Sequence, residues 1–218
     1  MIRAFGWNEF LFIVTAMQWT LALSGIAFVT GSIGGLLITL ARVAANPYLR
    51  YPALAFIRLF QGTPLLMQLF LVYFGMTTFG LRVDPWTAAA IGLALHASAY
   101  LGDIWRGCIE AVPEGQSEAS WALGLNYADK MRIVILPQAA RIAVAPTVGF
   151  LVQLIKGTSL ASIIGFVELV RAGQIMSNAT FQPFVVYSVV GACFFIICWP
   201  LSLLAQRLEK HFSQSTAR

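Results

Sequence analysis

Residues able to do chemistry are few and scattered in this chain. It holds two histidines, three cysteines and nine carboxylates. His96 and His211 lie far apart, and Cys108, Cys193 and Cys198 form no CxxC pair. Metal sites need clustered ligands, and catalytic sites need a convergent set of acid, base and nucleophile. No metal site and no catalytic residue is therefore expected, and the cysteines read as small apolar fillers. The notable side chains are polar ones set inside apolar stretches: Gln68, His96, Ser98, Tyr100, Gln153, Lys156, Thr158 and Ser159. Such groups are costly to keep out of water, and by default they mark a route for a polar solute. His96 has a second reading, as a hydrogen-bonded packing residue.

The elements that must position these residues follow from composition. Apolar residues make up 59% of the 218 residues and charged residues 11%, against roughly 45–50% and about 25% in soluble proteins. A chain so apolar needs lipid around it. No charged residue lies between Glu9 and Arg42, Arg58 and Arg82, Asp84 and Asp103, or Arg171 and Arg207, and Lys156 is alone between Arg141 and Glu168. A bilayer takes about 20 residues to cross. The spacing predicts an all-α membrane protein forming one transmembrane domain over 1–218, with five spans near 12–40, 62–80, 86–104, 142–164 and 184–206. The first apolar stretch is too long for the apolar region of a signal peptide and is expected to stay as a span.

Five spans place the termini on opposite sides. With the N-terminus outside, ten basic residues are cytoplasmic: Arg42, Arg50, Arg58, Arg106, Lys130, Arg132, Arg141, Arg207, Lys210 and Arg218. Four are external or in the membrane: Arg3, Arg82, Lys156 and Arg171. That asymmetry follows the positive-inside rule, and the reverse orientation violates it. The net charge of +5 is thus accounted for by lipid headgroups, with no nucleic-acid partner required. Trp7 and Trp19 read as interface anchors.

Asn46-Pro47 and Tyr51-Pro52 are expected to stop the first helix and turn the chain. Gln61-Gly62-Thr63-Pro64 opens the second span, either as an ordinary helix start or as a discontinuity beside a pore. In the fourth span the apolar run reaches Ile155 and meets Lys156-Gly157-Thr158-Ser159 before Leu160–Val167. Two readings stay open: a span broken halfway, or a span that ends there with Lys156 snorkelling and a loop beyond. Between residues 106 and 141 lies a hydrophilic cytoplasmic segment that keeps apolar residues at helical spacing. Two short helices are expected, the first closed by Gly124, the second capped by Asn126 and ended by Pro137. A compact helix pair of this kind suits docking.

Within this segment Glu118-Ala119-Ser120, then Gly124, then Val134-Ile135-Leu136-Pro137 resemble the EAA motif of binding-protein-dependent ABC importer permeases. The spacing matches throughout, with Ser120 and Val134 as the departures. Further blocks are similar to the polar amino-acid uptake branch: Gly62-Thr63-Pro64-Leu65-Leu66 after Arg58, Tyr100–Gly107, Pro113-Glu114-Gly115-Gln116, Leu136-Pro137-Gln138-Ala139 with Arg141, and Lys156-Gly157-Thr158-Ser159-Leu160. The resemblance covers nearly the whole chain.

It implies a MetI-like fold with about five transmembrane helices in a bacterial cytoplasmic (inner) membrane. It also implies that Glu118, Ala119, Ser120, Gly124, Leu136 and Pro137 couple the permease to an ATPase. Glu118 is then either met by a basic residue of the ATPase or solvated. The implied partners are ABC ATPase subunits, a second permease subunit, identical or homologous, an extracytoplasmic amino-acid-binding protein and membrane lipid. The chain has no GxxxxGK[ST] phosphate loop, so it is expected to bind no cofactor and to leave ATP and Mg to the ATPase. A secondary transporter or channel subunit is the alternative. It would need intramembrane carboxylates or a charged ring, and neither is evident. No Asp or Glu falls inside an expected span, which favours a neutral or acidic amino acid over a cationic one.

Overall fold

The computed structural model describes residues 4–216, with side chains through Lys210. Arg3 and Arg218 of the charge count, and the side chain of His211, lie outside the described residues. The described residues are helical throughout, without strands.

Helix α1 runs from Trp7 to Val43. The Glu9 carboxylate accepts from the Gly6 amide at 3.0 Å, closing the first turn where backbone donors lack partners. Its buried stripe, Ile13, Ala16, Thr20, Leu23, Ala27, Gly31, Gly35 and Thr39, repeats every three or four residues, as one helix face must. That stripe packs on α4 (Pro85–Glu110). The two backbones approach very closely. A Cβ on Gly31 would sit 2.4 Å from that of Ala97, and one on Gly35 would sit 2.9 Å from that of Leu101. Thr39 Oγ1 donates to Gly35 O within α1 and lies 3.1 Å from Gly102 O across the interface. Between membrane helices, small residues and hydrogen bonds do the work that hydrophobic burial does in water.

Helix α2 (Pro47–Gln61) follows α1 and meets α3 (Leu65–Thr78) at 105°. A helix here was not expected, since Asn46-Pro47 and Tyr51-Pro52 read as turns. Instead Asn46 caps α2, its Oδ1 accepting from Tyr48 N at 2.9 Å, and Pro47 takes the first helical position. Pro52 falls inside α2, past its first turn, where its missing N–H leaves the Tyr48 carbonyl without a helical donor. The turn is displaced to Gly62-Thr63-Pro64.

Past α4 come α5 (Glu114–Ala122), a single turn α6 (Tyr127–Asp129), a π-helical stretch Lys130–Ile135 and α7 (Leu136–Gly157). Pro137 does not end a helix. It lies in the first turn of α7, and the helix capped by Asn126 runs on unbroken into the membrane helix. The 3-10 stretch Thr158–Ser162 follows. Then α8 (Leu169–Thr180), also unexpected, leads to α9 (Pro183–Thr216).

By length and apolarity, Trp7–Val43, Tyr127–Ser162 and Pro183–Lys210 can each cross a membrane, and the bent α2–α3 pair makes a fourth. The fifth expected span is α4. Its 26 residues extend about 39 Å, but α1, α3 and α7 enclose it, so it is free to carry polar side chains. The main core gathers Leu23 of α1, Leu69 of α3, Leu93 and Leu101 of α4, Leu154 of α7 and Ile164 beyond it, while α9 contributes to smaller clusters of its own.

Candidate functional site

The site begins at the α2–α3 bend. Pro64 has no N–H and cannot continue the α2 ladder, so carbonyls at the bend lose helical partners. Gln68, one turn into α3 and 5% exposed, replaces them. Its Nε2 donates to Phe60 O at 2.7 Å and Thr63 O at 2.9 Å, and lies 3.0 Å from Thr63 Oγ1. With the amide nitrogen committed as donor, Oε1 faces Nδ1 of His96 at 3.0 Å. An amide oxygen only accepts, so His96 carries its proton on Nδ1 and leaves Nε2 as an acceptor. His96 is held further by Tyr100, its ring centroid 4.4 Å away, and Tyr100 stacks on Phe150 of α7.

In front of this set lies a cavity of about 700 Å³. Gln61, Thr63, His96, Tyr100, Gln153, Lys156 and Ser159 supply its polar lining. Three separate elements converge there: the bend, α4, and the end of α7 with the turn after it. Gln153 and Lys156 are exposed at its mouth. No Asp or Glu lines it.

Of the eight sequence-expected path residues, His96, Tyr100, Gln153, Lys156 and Ser159 meet in this cavity, with Gln68 directly behind. Ser98 does not reach it. Ser98 Oγ donates to Ala94 O at 2.7 Å and packs toward Gly34 of α1. Thr158 is fully buried, its hydroxyl donating to Ile155 O. Gln61 and Thr63 were not among the expected residues, although the polar Gln61-Gly62-Thr63-Pro64 run was the available signal.

The tetrad Lys156–Ser159 fits neither earlier reading in full. The membrane helix ends at Gly157, so no second half-span follows. Yet the residues beyond form no solvated loop: Ala161 and Ile164 are buried in the main core. Glu168 then caps α8. Its carboxylate accepts from Val170 N and Arg171 N, each at 2.9 Å, while Leu169 N donates to Thr20 Oγ1 of α1.

A second candidate surface lies on the 106–141 segment. Helix α5 ends in a Schellman arrangement: Gly124 N donates to Trp121 O at 3.0 Å and Leu125 N to Ser120 O at 3.1 Å. Gly124 sits at φ +75°, a left-handed conformation costing about 1–2 kcal/mol for other residues. Asn126 then caps the next turn, accepting from Asp129 N at 2.9 Å. Glu118, Ala119 and Gly124 are exposed, as are Trp121, Leu123 and Tyr127 beside them. Ser120 faces inward, its hydroxyl on Gln116 O. Leu136 and Pro137 stand in the first turn of α7, beside Gln138, whose Nε2 donates to Gln116 Oε1 of α5 at 3.3 Å. Arg106 pairs with Asp103 at 3.0 Å and with Glu110, all three on the last turns of α4.

The site thus combines a bent helix pair, a polar cavity with no carboxylate in its lining, and an exposed apolar loop. The chain belongs to the binding-protein-dependent transport system inner membrane component family, which matches residues 31–218. It is 36% identical over 94% of its length to the "Probable amino-acid ABC transporter permease protein YckA" of Bacillus subtilis (strain 168), covering 91% of that protein. It is 34% identical to the glutamine transport system permease protein GlnP of Escherichia coli (strain K12), over 94% of both chains. Among solved structures, an amino acid ABC transporter crystallised with histidines superimposes at TM-score 0.88 with 32% identity, over 92% of this chain and 94% of that one. The MetNI methionine ABC transporter shares the fold, at TM-score 0.74, over 95% and 99% of the two chains.

Proposed function

We propose that this chain is the permease subunit of an ATP-driven amino-acid importer, and that the cavity at the α2–α3 bend is where the amino acid pauses in transit. One observation carries the reading: a cavity lined by Lys156, His96, Tyr100, Gln153 and Ser159 with no carboxylate among them. Lys156 meets the substrate's α-carboxylate, and the neutral hydrogen-bonding groups hold the rest. The one carboxylate bound to a lining residue, Asp103 on Gln61 at 3.1 Å, is already paired with Arg106, so a cationic side chain would lack a free partner, at a cost of at least about 2.5–3.5 kcal/mol in a membrane setting. The substrate is therefore a neutral or acidic amino acid.

The exposed mouth at Gln153 and Lys156 faces a second permease, identical or homologous, and the two together enclose the passage. ATPase subunits bind ATP and Mg and dock on Glu118, Ala119, Gly124 and the apolar side chains around them. Ser120 supports that surface from beneath, and Leu136 and Pro137 pass the motion into α7. An extracytoplasmic binding protein delivers substrate at the opposite face. The N-terminus is outside and the C-terminus cytoplasmic, in the inner membrane. Nucleotide favours one state and loaded binding protein the other, as alternating access requires.

The test is uptake by the reconstituted complex in proteoliposomes. Lys156→Met is expected to lower uptake at least about tenfold while nucleotide-driven closure persists, the loss of one charge-assisted contact. In competition, unlabelled glutamine, cystine or glutamate should outcompete arginine and lysine. The reverse order would overturn the substrate assignment.

A further inference from the structure

On the side of the molecule that carries the α5 loop, a groove of about 530 Å³ runs between α1, α4 and α7. Its lining is almost wholly apolar. Leu36 and Leu40 of α1 and Leu136 and Val144 of α7 form its outer lips, each substantially exposed. Ile109 of α4 lies deeper, and Ala140 leaves room between the lips. Along α7 the lining extends from Leu136 to Val148, about 18 Å at 1.5 Å per residue. One leaflet of the hydrocarbon core is about 15 Å deep, so the groove matches a single leaflet.

Ile109 also lines a second recess, of about 550 Å³, which adjoins the groove at its polar end. Arg42, Arg50 and Lys130 contribute three positive charges there, and Glu110 and Glu114 two negative ones. Glu110 is already engaged by Arg106. Among the described residues no carboxylate comes within ion-pair distance of Arg42, Arg50 or Lys130. Arg42 lies within electrostatic reach of two further cations, Arg50 and Arg106, and of the Glu110 and Asp103 carboxylates, both of which Arg106 already engages; its buried Nε has no hydrogen-bond partner. Lys130 Nζ rests over the Trp121 and Tyr127 rings at 4.9 and 5.3 Å. Guanidinium groups without a direct ion-pair partner, one with an orphaned Nε–H, at the polar end of an apolar slot suit an anion carrying a hydrocarbon chain.

We propose that the α1/α4/α7 groove holds one acyl chain of an anionic phospholipid, with its phosphate bound by Arg42 and Arg50 and Lys130 at the rim. Arginine suits this role because its planar fork matches phosphate oxygens in pairs. The site is distinct from the substrate cavity, with which it shares no lining residue. A lipid there bridges the end of α1, α4, the start of α7 and the α5 loop, the elements that must move together when an ATPase acts.

The test uses the purified complex with its ATPase. Native mass spectrometry after delipidation and titration with phosphatidylglycerol or phosphatidylcholine should show the wild type retaining phosphatidylglycerol at least about tenfold better. The double variant R42Q/R50Q should lose that preference. Ala140→Phe, which fills the slot and leaves the charges, should lower phosphatidylglycerol retention severalfold. Inorganic phosphate at the same concentrations should not displace the lipid. Equal retention of both lipids by the wild type overturns the proposal without any variant being needed. Unchanged retention in R42Q/R50Q overturns the headgroup assignment, and unchanged retention in Ala140→Phe, or displacement by phosphate alone, overturns the acyl-chain assignment.

Discussion

At the scale of single residues, Gln68 joins the fold to the site. It satisfies the bend's carbonyls on one side and orients His96 on the other. Gln68→Leu keeps the bulk and removes both functions. Leaving buried acceptors unmet costs about 1–3 kcal/mol each, so the variant should melt several degrees lower and lose most uptake. Retention of both properties in thermal unfolding and transport assays would contradict the role. Asp84 offers a test away from the membrane. It caps α4, accepting from Thr87 N at 3.1 Å and Thr87 Oγ1 at 2.7 Å, and the Thr87 hydroxyl, followed by its amide, pulls the carboxyl below its ordinary value. A depressed folded pKa stabilises above the unfolded value, near 3.8, and that contribution fades as pH falls through the lower folded one. Asp84→Ala should therefore melt below wild type at pH 7, with the gap closing below pH 4. A gap of the same size at pH 7 and at pH 2 would refute this. These residues differed in legibility. Lys156 and His96 stood out because polarity inside an apolar run is visible in one dimension. Ser98 and Thr158 stood out equally and point elsewhere, because sequence does not say which face of α4, or of the turn after α7, meets the cavity.

Among elements, the α5 loop was the most legible. Gly124 and Asn126 carry their structural instruction locally, one as a left-handed helix terminator and the other as a cap, so both were found where expected. Gly124→Leu places a side chain at φ +75° on an open surface, since nothing lies within 4 Å of its Cβ position. The strain and the added bulk should uncouple the proteins. ATP hydrolysis by the assembled complex should no longer rise with loaded binding protein, and uptake should fall at least about tenfold. Normal stimulation in an intact complex would remove this loop from the coupling path. Helices α2 and α8 were missed for opposite reasons. In α2, prolines near a helix start read as turns, because proline suits both. In α8, much of the fixing is tertiary: Glu168 is buried and Leu169 N is held by Thr20, which is 149 residues away. Pro137 is the converse error, a proline taken as a stop that occupies a first turn.

At the scale of the whole molecule, apolar stretches revealed the membrane class and approximate spans, while α4 shows the limit of hydropathy. A helix enclosed by α1, α3 and α7 need not be as apolar as one bathed in lipid. The proposed orientation rests on charge: the described cations Arg42, Arg50, Lys130, Arg132 and Arg141 all belong to the α5 side or its flanks. A cysteine at Glu114, exposed near the start of α5, should react with a membrane-impermeant maleimide only when the cytoplasmic face is open to the reagent. Labelling of intact cells from outside would reverse the topology.

The π-helical stretch Lys130–Ile135 bears on how this family can change by insertion and deletion. Removing one residue from a regular helix rotates everything beyond it by about 100°. A π-bulge is a helix already carrying one residue to spare. Deleting exposed Ile133 (63% exposed) would let the stretch relax to α-helix with α5 and α7 still in register. The same deletion at Val144 has no slack to absorb it and would swing the docking loop around the molecule. The junction between the α5 loop and α7 is thus a place where chain length can drift by one residue without changing their mutual register.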